Sequence, residues 1–215
     1  MFPDLTRDDV FRLETRRLWL RWPRQADAQA VVCLAGEKAV ADMTALIPHP
    51  YPPHAADRFI LDARRSNAEG RGLQLAITLK GRSVIGMIGI GPAPEGFCDA
   101  GRPHLGFWVG APHWGQRFAT EAARALIDAY FAYAGGGELT AAARIVNPAS
   151  RRVLEACGFS HQGEAMMAFP ARGGVFPVHR FRLDRGLWQA RNPWSLAGRA
   201  PQARPADRGA IAAAF

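Results

Sequence analysis

Lysine is nearly missing from this chain. Of the 27 basic side chains among its 215 residues, only Lys38 and Lys80 are lysines, and the arginines are spread along the sequence without a dense block. The formal net charge of +8 therefore reads as a compositional habit rather than a nucleic-acid footprint, which would gather its charge in one run or on one face. Cysteine is scarce as well. Cys33, Cys98 and Cys157 are odd in number, far apart and free of CxxC spacing, which argues against a disulfide framework and a cysteine zinc site. No apolar run approaches the ~20 residues a membrane span requires. The N-terminal MFPDLTRDDVF lacks the basic-then-apolar pattern of a secretory signal. No Gly-Lys-Ser/Thr closes a P-loop, no GxGxxG precedes a helix, and no Ser-His-Asp order or metal cluster is evident. A cytoplasmic protein without membrane partner or metal is expected.

What is present is one domain's worth of core-forming sequence, 48% hydrophobic and 21% charged. Residues 1–12 read as a leader with little core, 13–190 as the domain, and 191–215 as a Pro/Ala/Arg-rich tail, weakly ordered from about 195. Residues 17–22 suit a first strand stopped by Pro23. Asp27 suits a cap for a helix ending near Gly36, and a further helical piece runs from Glu37 to about Leu46. Four prolines between Pro48 and Pro53 exclude helix and central strand, and suit either a pocket wall or a rigid surface connector. A helix over 55–69 follows, then a hairpin of 73–79 and 84–90. Further strands are expected at 104–110 and 139–146, a short helix at 148–156, and a closing hairpin of 159–169 and 175–183. The order fits a mixed, mostly antiparallel α+β sheet of six to seven strands flanked by helices.

The centre of this plan is the stretch from Pro103 to Asp128. Strand formers Leu105 to Val109 feed a loop containing Pro112 and Gly115. A helix then begins whose apolar positions, Ala122, Ala125, Leu126 and Ala129, lie at the 3–4 residue spacing of one buried face. The first amides of such a helix lack carbonyl partners and its dipole favours negative charge, so the loop is a candidate anion site.

The run His113-Trp114-Gly115-Gln116-Arg117-Phe118-Ala119-Thr120-Glu121-Ala122 resembles the acyl-CoA loop of the GNAT acetyltransferases, especially the branch that includes ribosomal-protein N-acetyltransferases. The segment Asn147-Pro148-Ala149-Ser150, followed by Gly158-Phe159, is similar to the family's second signature, in the expected order. The resemblance spans roughly 13–188. It implies the GNAT fold, with two central strands splayed apart, and acetyl-CoA as co-substrate. It also implies transfer of the acetyl group to a primary amine, on a small molecule or a protein N-terminus, by direct attack in a ternary complex. A non-catalytic acyl-CoA-binding module on the same fold is the alternative. A monomer or homodimer fits either.

Carried over position by position, the resemblance assigns the pyrophosphate to Gly115, Gln116, Arg117, Phe118, Ala119 and Thr120, and gives Trp108, Val109 and Asn147 to the rest of the cofactor. His104 stands where many relatives have a glutamate base. An imidazole with an ordinary pKa near 6.5 suits that task, though a strand histidine that only lines the pocket is the plainer reading. Ser150 matches the position that faces the CoA sulfur, with helix capping as its competing role. Cys157 reads as packing, and Glu121 as a first-turn carboxylate suited to the dipole. Arg117 departs from the pattern, since relatives usually carry a glycine there. It either accepts a left-handed backbone at a cost of about 1 kcal/mol, or the loop is reshaped.

Overall fold

The computed structural model describes residues 1–80 and 82–191. The tail expected to be weakly ordered lies outside the described residues. One eight-stranded sheet organises the chain, one strand more than the upper expectation. The added strand is β1 (Arg12–Glu14), only three residues long, which pairs antiparallel with β2 (Trp19–Arg21). Residues 1–12 are not peripheral: Phe2 is 2% exposed within the main core, and the N-terminal ammonium donates to the carbonyl of Gly70.

After β2 come α1 (Ala28–Ala35), α2 (Lys38–Ala41) and α3 (Pro53–Ala68). Asp27 does not cap α1. Its carboxylate instead takes both guanidinium nitrogens of Arg21 at 2.8 Å and the N–H of Arg24 at 2.7 Å, a fork-to-fork geometry with which a single amide cannot compete. The helical piece expected to reach Leu46 ends at Ala41, and the chain then turns through a loop carrying a cis peptide at His49-Pro50. Of the proline-rich stretch, Tyr51 packs on the α1–α3 cluster, and Pro53 opens α3 where a missing N–H costs nothing.

β3 (Leu73–Thr78) and β4 (Val84–Pro92) form the expected hairpin, and β5 (Pro103–Val109) pairs antiparallel with β4. α4 (Phe118–Tyr133) buries Ala122, Ala123, Leu126, Ile127, Tyr130 and Phe131, the stripe its spacing dictates. β6 (Glu138–Arg144), α5 (Pro148–Ala156), β7 (Ser160–Phe169), β8 (Gly174–Asp184) and α6 (Arg185–Arg191) complete the order. The spatial sequence is β1-β2-β3-β4-β5-β6-β8-β7, with every neighbouring pair antiparallel except β5 and β6.

Side-chain alternation divides the sheet into two faces. Leu105 and Val109 of β5, with Leu139, Ala141 and Ala143 of β6, join the core beneath α4 and α5. Ala76, Met87 and Trp108 point the other way, into a smaller cluster with Val31, Ala35 and Ala56 of α1 and α3. No helix among the described residues is long and apolar enough to cross a membrane.

Candidate active site

The parallel pair at the centre of the sheet is joined at a single register position, His104 against Thr140. Beyond it β5 and β6 run on without pairing. The N–H of Gly110 bonds Ile85 O at 2.9 Å, and Val109 stands opposite Gly86 with Phe107 opposite Ile88. In an antiparallel ladder, alternate residues aim their backbone groups away from the partner. Phe107 and Val109 therefore turn their N–H and C=O toward β6, across the gap. Trp114, half exposed, folds back to donate its indole N–H to Val109 O at 2.6 Å. The remaining groups form a polar edge ready for an extended chain that itself carries amides.

The loop between β5 and α4 stands at the open end of this edge. Gly115 has φ +75° and Arg117 φ +62°, ψ +17°. The left-handed turn that usually calls for glycine is thus retained with arginine in it. No side chain caps α4, so the first amides of that helix are left for an anion. The guanidinium of Arg117 is exposed at the same spot. The loop is held from behind by Glu121, which accepts from the Thr15 hydroxyl at 2.6 Å, the Arg17 N–H at 2.9 Å and Arg17 Nε at 2.7 Å. Arg17 also donates to Gln116 O at 3.0 Å and lies 4.5 Å from the ring centre of Phe118. Burial alone would raise the Glu121 pKa, but these donors together hold it below the ordinary value.

At the closed end sits His104. Its Nδ1 lies 3.2 Å from Thr140 Oγ1, and that hydroxyl donates its one proton to Pro103 O at 2.9 Å. The hydroxyl can only accept from the imidazole, so Nδ1 carries the ring proton and Nε2 presents a lone pair. Burial beneath Phe97, whose ring meets the imidazole edge-on at 5.6 Å, drives the pKa down to about 4, against a small opposing pull from Asp99. The ordinary pKa expected for a base is therefore not what this site provides. Ser150 lies at the start of α5. Asn147 caps that helix by accepting from the Ser150 N–H at 3.0 Å, and its amide donates to Ser150 Oγ at 3.3 Å. Ser150 is thus not the cap, and its own hydroxyl proton stays available.

An unpaired strand edge thus runs between an anion loop at one end and a neutral imidazole at the other. Residues 17–160 match the family model of the acetyltransferase (GNAT) domain. The chain belongs to the GNAT family. Acetyl-CoA is the co-substrate of GNAT acetyltransferases. The N-acetyltransferase p20 of Bacillus licheniformis, itself uncharacterized, is 27% identical over 172 residues, covering 80% of this chain and 94% of its own. Among solved structures, Mycobacterium smegmatis RimJ in complex with CoA-disulfide aligns with TM-score 0.66 at 19% identity, over 82% of this chain and 89% of that one. The microcin C7 self-immunity acetyltransferase MccE, in complex with acetyl-CoA and AMP, aligns with TM-score 0.63 at 17% identity, over 79% and 93%. At these identities the structures attest the fold.

Within this GNAT frame two expected cofactor contacts change character. Trp108 has its backbone in the ladder with β4 and its ring in the α1–α3 cluster, which leaves it nothing to offer across the gap. Asn147 spends its oxygen, and one side of its amide, on the start of α5. Phe107 is not among the residues the resemblance assigns, although its N–H and C=O face the gap; strand alternation places it with Val109. Cys157 stays outside the chemistry, because burial pushes its thiol up to about 11. It borders a 260 Å³ cavity with Arg124 and Trp188 behind α4 and α5, whose walls include none of the cleft residues.

Proposed function

We propose that this protein is an acetyl-CoA-dependent N-acetyltransferase in which a primary amine attacks the thioester directly, within a ternary complex. The observation that carries the reading is the half-paired edge of β5, open between the 115–120 loop and His104. The pyrophosphate rests on the amides of residues 116–120, with Arg117 beside it. The pantetheine amides bond the free edge of Phe107 and Val109.

The attacking nitrogen forms its C–N bond to the thioester carbonyl and becomes a strongly acidic ammonium. His104 Nε2 takes that proton and passes it to solvent. The C–S bond breaks, and the Ser150 hydroxyl hydrogen-bonds the departing thiolate. An imidazole with a pKa of about 4 cannot strip the resting ammonium of a free amine, so that first proton leaves to water before attack.

The weakness of this base favours one competing reading, an acyl-CoA-binding module without turnover. Calorimetry with acetyl-CoA, followed by CoA-thiol release over a panel of small amines and peptide N-termini, separates the two. Amine-dependent release supports the enzyme. Tight binding without release by any amine leaves the module.

A further inference from the structure

Three arginines lie close to the sheet face that carries α1 and α3, Arg144 and Arg180 on its strands and Arg172 against the loop after α2. Arg180 pairs with Asp99 at 2.9 Å, and Arg172 reaches Asp42 at 3.7 Å and the carbonyl of Ile47. Arg144 is different. It ends β6 and is only partly exposed, yet no carboxylate among the described residues pairs with it. Its Nη1 donates to the backbone carbonyl of Asp42 at 2.6 Å, while the Asp42 carboxylate is taken by Lys38 and Arg172. The guanidinium lies 4.8 Å from the ring centre of Phe176 and 5.7 Å from that of Phe169. Its Nε is buried with no acceptor, as are those of Arg172 and Arg180, but those two guanidiniums already hold a carboxylate.

Two ring contacts and one carbonyl offset part of the cost of drawing this cation out of water, but a free anion-binding edge remains. The unused nitrogens, Nε and Nη2, form the fork that matches a carboxylate or phosphate oxygen pair. Alternation along β6 puts Thr140, Ala142 and Arg144 on one face, so the imidazole held by Thr140 and this guanidinium share it. They are separated by four residues of strand, roughly 13 Å at 3.3 Å per residue, with the small side chain of Ala142 between them.

We infer that Arg144 is a specificity residue for an acceptor amine that carries an anionic group, carboxylate or phosphate, on the order of 10 Å from the reacting nitrogen. This rests on the acetyltransferase reading above. The anion docks on the Nε–Nη2 edge, and the half-buried Phe176 ring shifts to admit it. The amine then lies toward His104 across Ala142.

The test uses matched acceptors with the full chain. One arm compares the C-terminally amidated peptides Ala-Ala-Asp-Ala and Ala-Ala-Asn-Ala; the other compares 6-aminohexyl phosphate with hexylamine. In at least one pair, kcat/KM should favour the anionic member by tenfold or more, mainly through KM. Arg144→Gln should bring that ratio to within threefold, and Arg144→Lys, which keeps charge without the fork, should fall between. Equal use of both members in both pairs by the wild-type protein would overturn the inference and leave the acetyltransferase reading intact. So would a preference that survives Arg144→Gln. Failure to bind acetyl-CoA in parallel calorimetry would overturn both. If Arg144→Gln proves too unstable to assay, Arg144→Lys decides the matter, and a ratio unchanged from wild type in that variant would overturn the inference.

Discussion

A histidine whose pKa is about 4 is neutral at every pH at which the acceptor amine begins to deprotonate, so it is always ready and never strong. With His104 as the proposed base, its protonated form cannot accept a proton, and the depressed value should place the acidic limb of kcat near pH 4 rather than 6.5. Above that limb, activity should follow the amine's own ionisation. His104→Gln should lower kcat by about 10²–10⁴ and abolish the limb; nearly full kcat in that variant would assign the proton to water. Arg117 makes a second prediction at this scale. It holds a left-handed backbone with no ion-pair partner among the described residues, so Arg117→Gly should raise stability by about 1 kcal/mol. On the proposed function the same change removes a cation beside the pyrophosphate, and calorimetry at low salt should show weaker acetyl-CoA binding. Tighter binding would mean that the arginine only strains the loop. The departure at Arg117 was legible in the sequence because a glycine position is defined by its backbone. The shift at His104 was not, since it depends on burial by groups from other parts of the chain, Phe97 among them.

Among the elements, the start of α4 is fixed less by its own sequence than by the turn between β1 and β2, on which it leans. Glu121 receives three hydrogen bonds from Thr15 and Arg17, which lie 106 and 104 residues earlier in the chain. Because its folded pKa is lowered, this carboxylate contributes stability that is fully present above its unfolded value. That contribution is lost as pH falls below about 4.5 toward the folded pKa. Glu121→Ala should cost roughly 2–3 kcal/mol in urea unfolding near pH 7, and the difference from wild type should shrink in acid. A constant difference down to pH 3 would deny the clamp. From sequence, Glu121 reads as a dipole-facing carboxylate and Arg17 as a strand residue; nothing local reports that they meet. The hairpin of β3 and β4, and helices α3 and α4, were legible because each carries its period in consecutive residues. β1 was not, because its three residues alternate between exposed and half-buried and end in charges. The overlong helix after Glu37 fails for the opposite reason. Asp42 and Ile47 give their carbonyls to Arg144 and Arg172, distant partners that stop the helix and pin the loop.

The whole molecule behaves as two antiparallel sheets, β1 to β5 and β6-β8-β7, that meet at one backbone position. A ligand bonded along the gap should stabilise both at once. Acetyl-CoA at a hundred times its Kd should add about 2.7 kcal/mol to unfolding. It should also slow hydrogen exchange at Phe107 and Val109 more than at β3 amides. No thermal shift at millimolar acetyl-CoA would remove the cofactor assignment. The single junction at His104 and Thr140 has a further consequence, for the order of events. Until the gap is filled, the acceptor side has only one flank of its floor, and an amine arriving first finds the thioester position empty. Steady-state kinetics should therefore show a compulsory sequence, with acetyl-CoA entering first and free CoA leaving last. Free CoA should compete with acetyl-CoA and inhibit noncompetitively against the amine. Product inhibition in which free CoA competes with both substrates would mean that the two halves of the sheet accept their ligands independently.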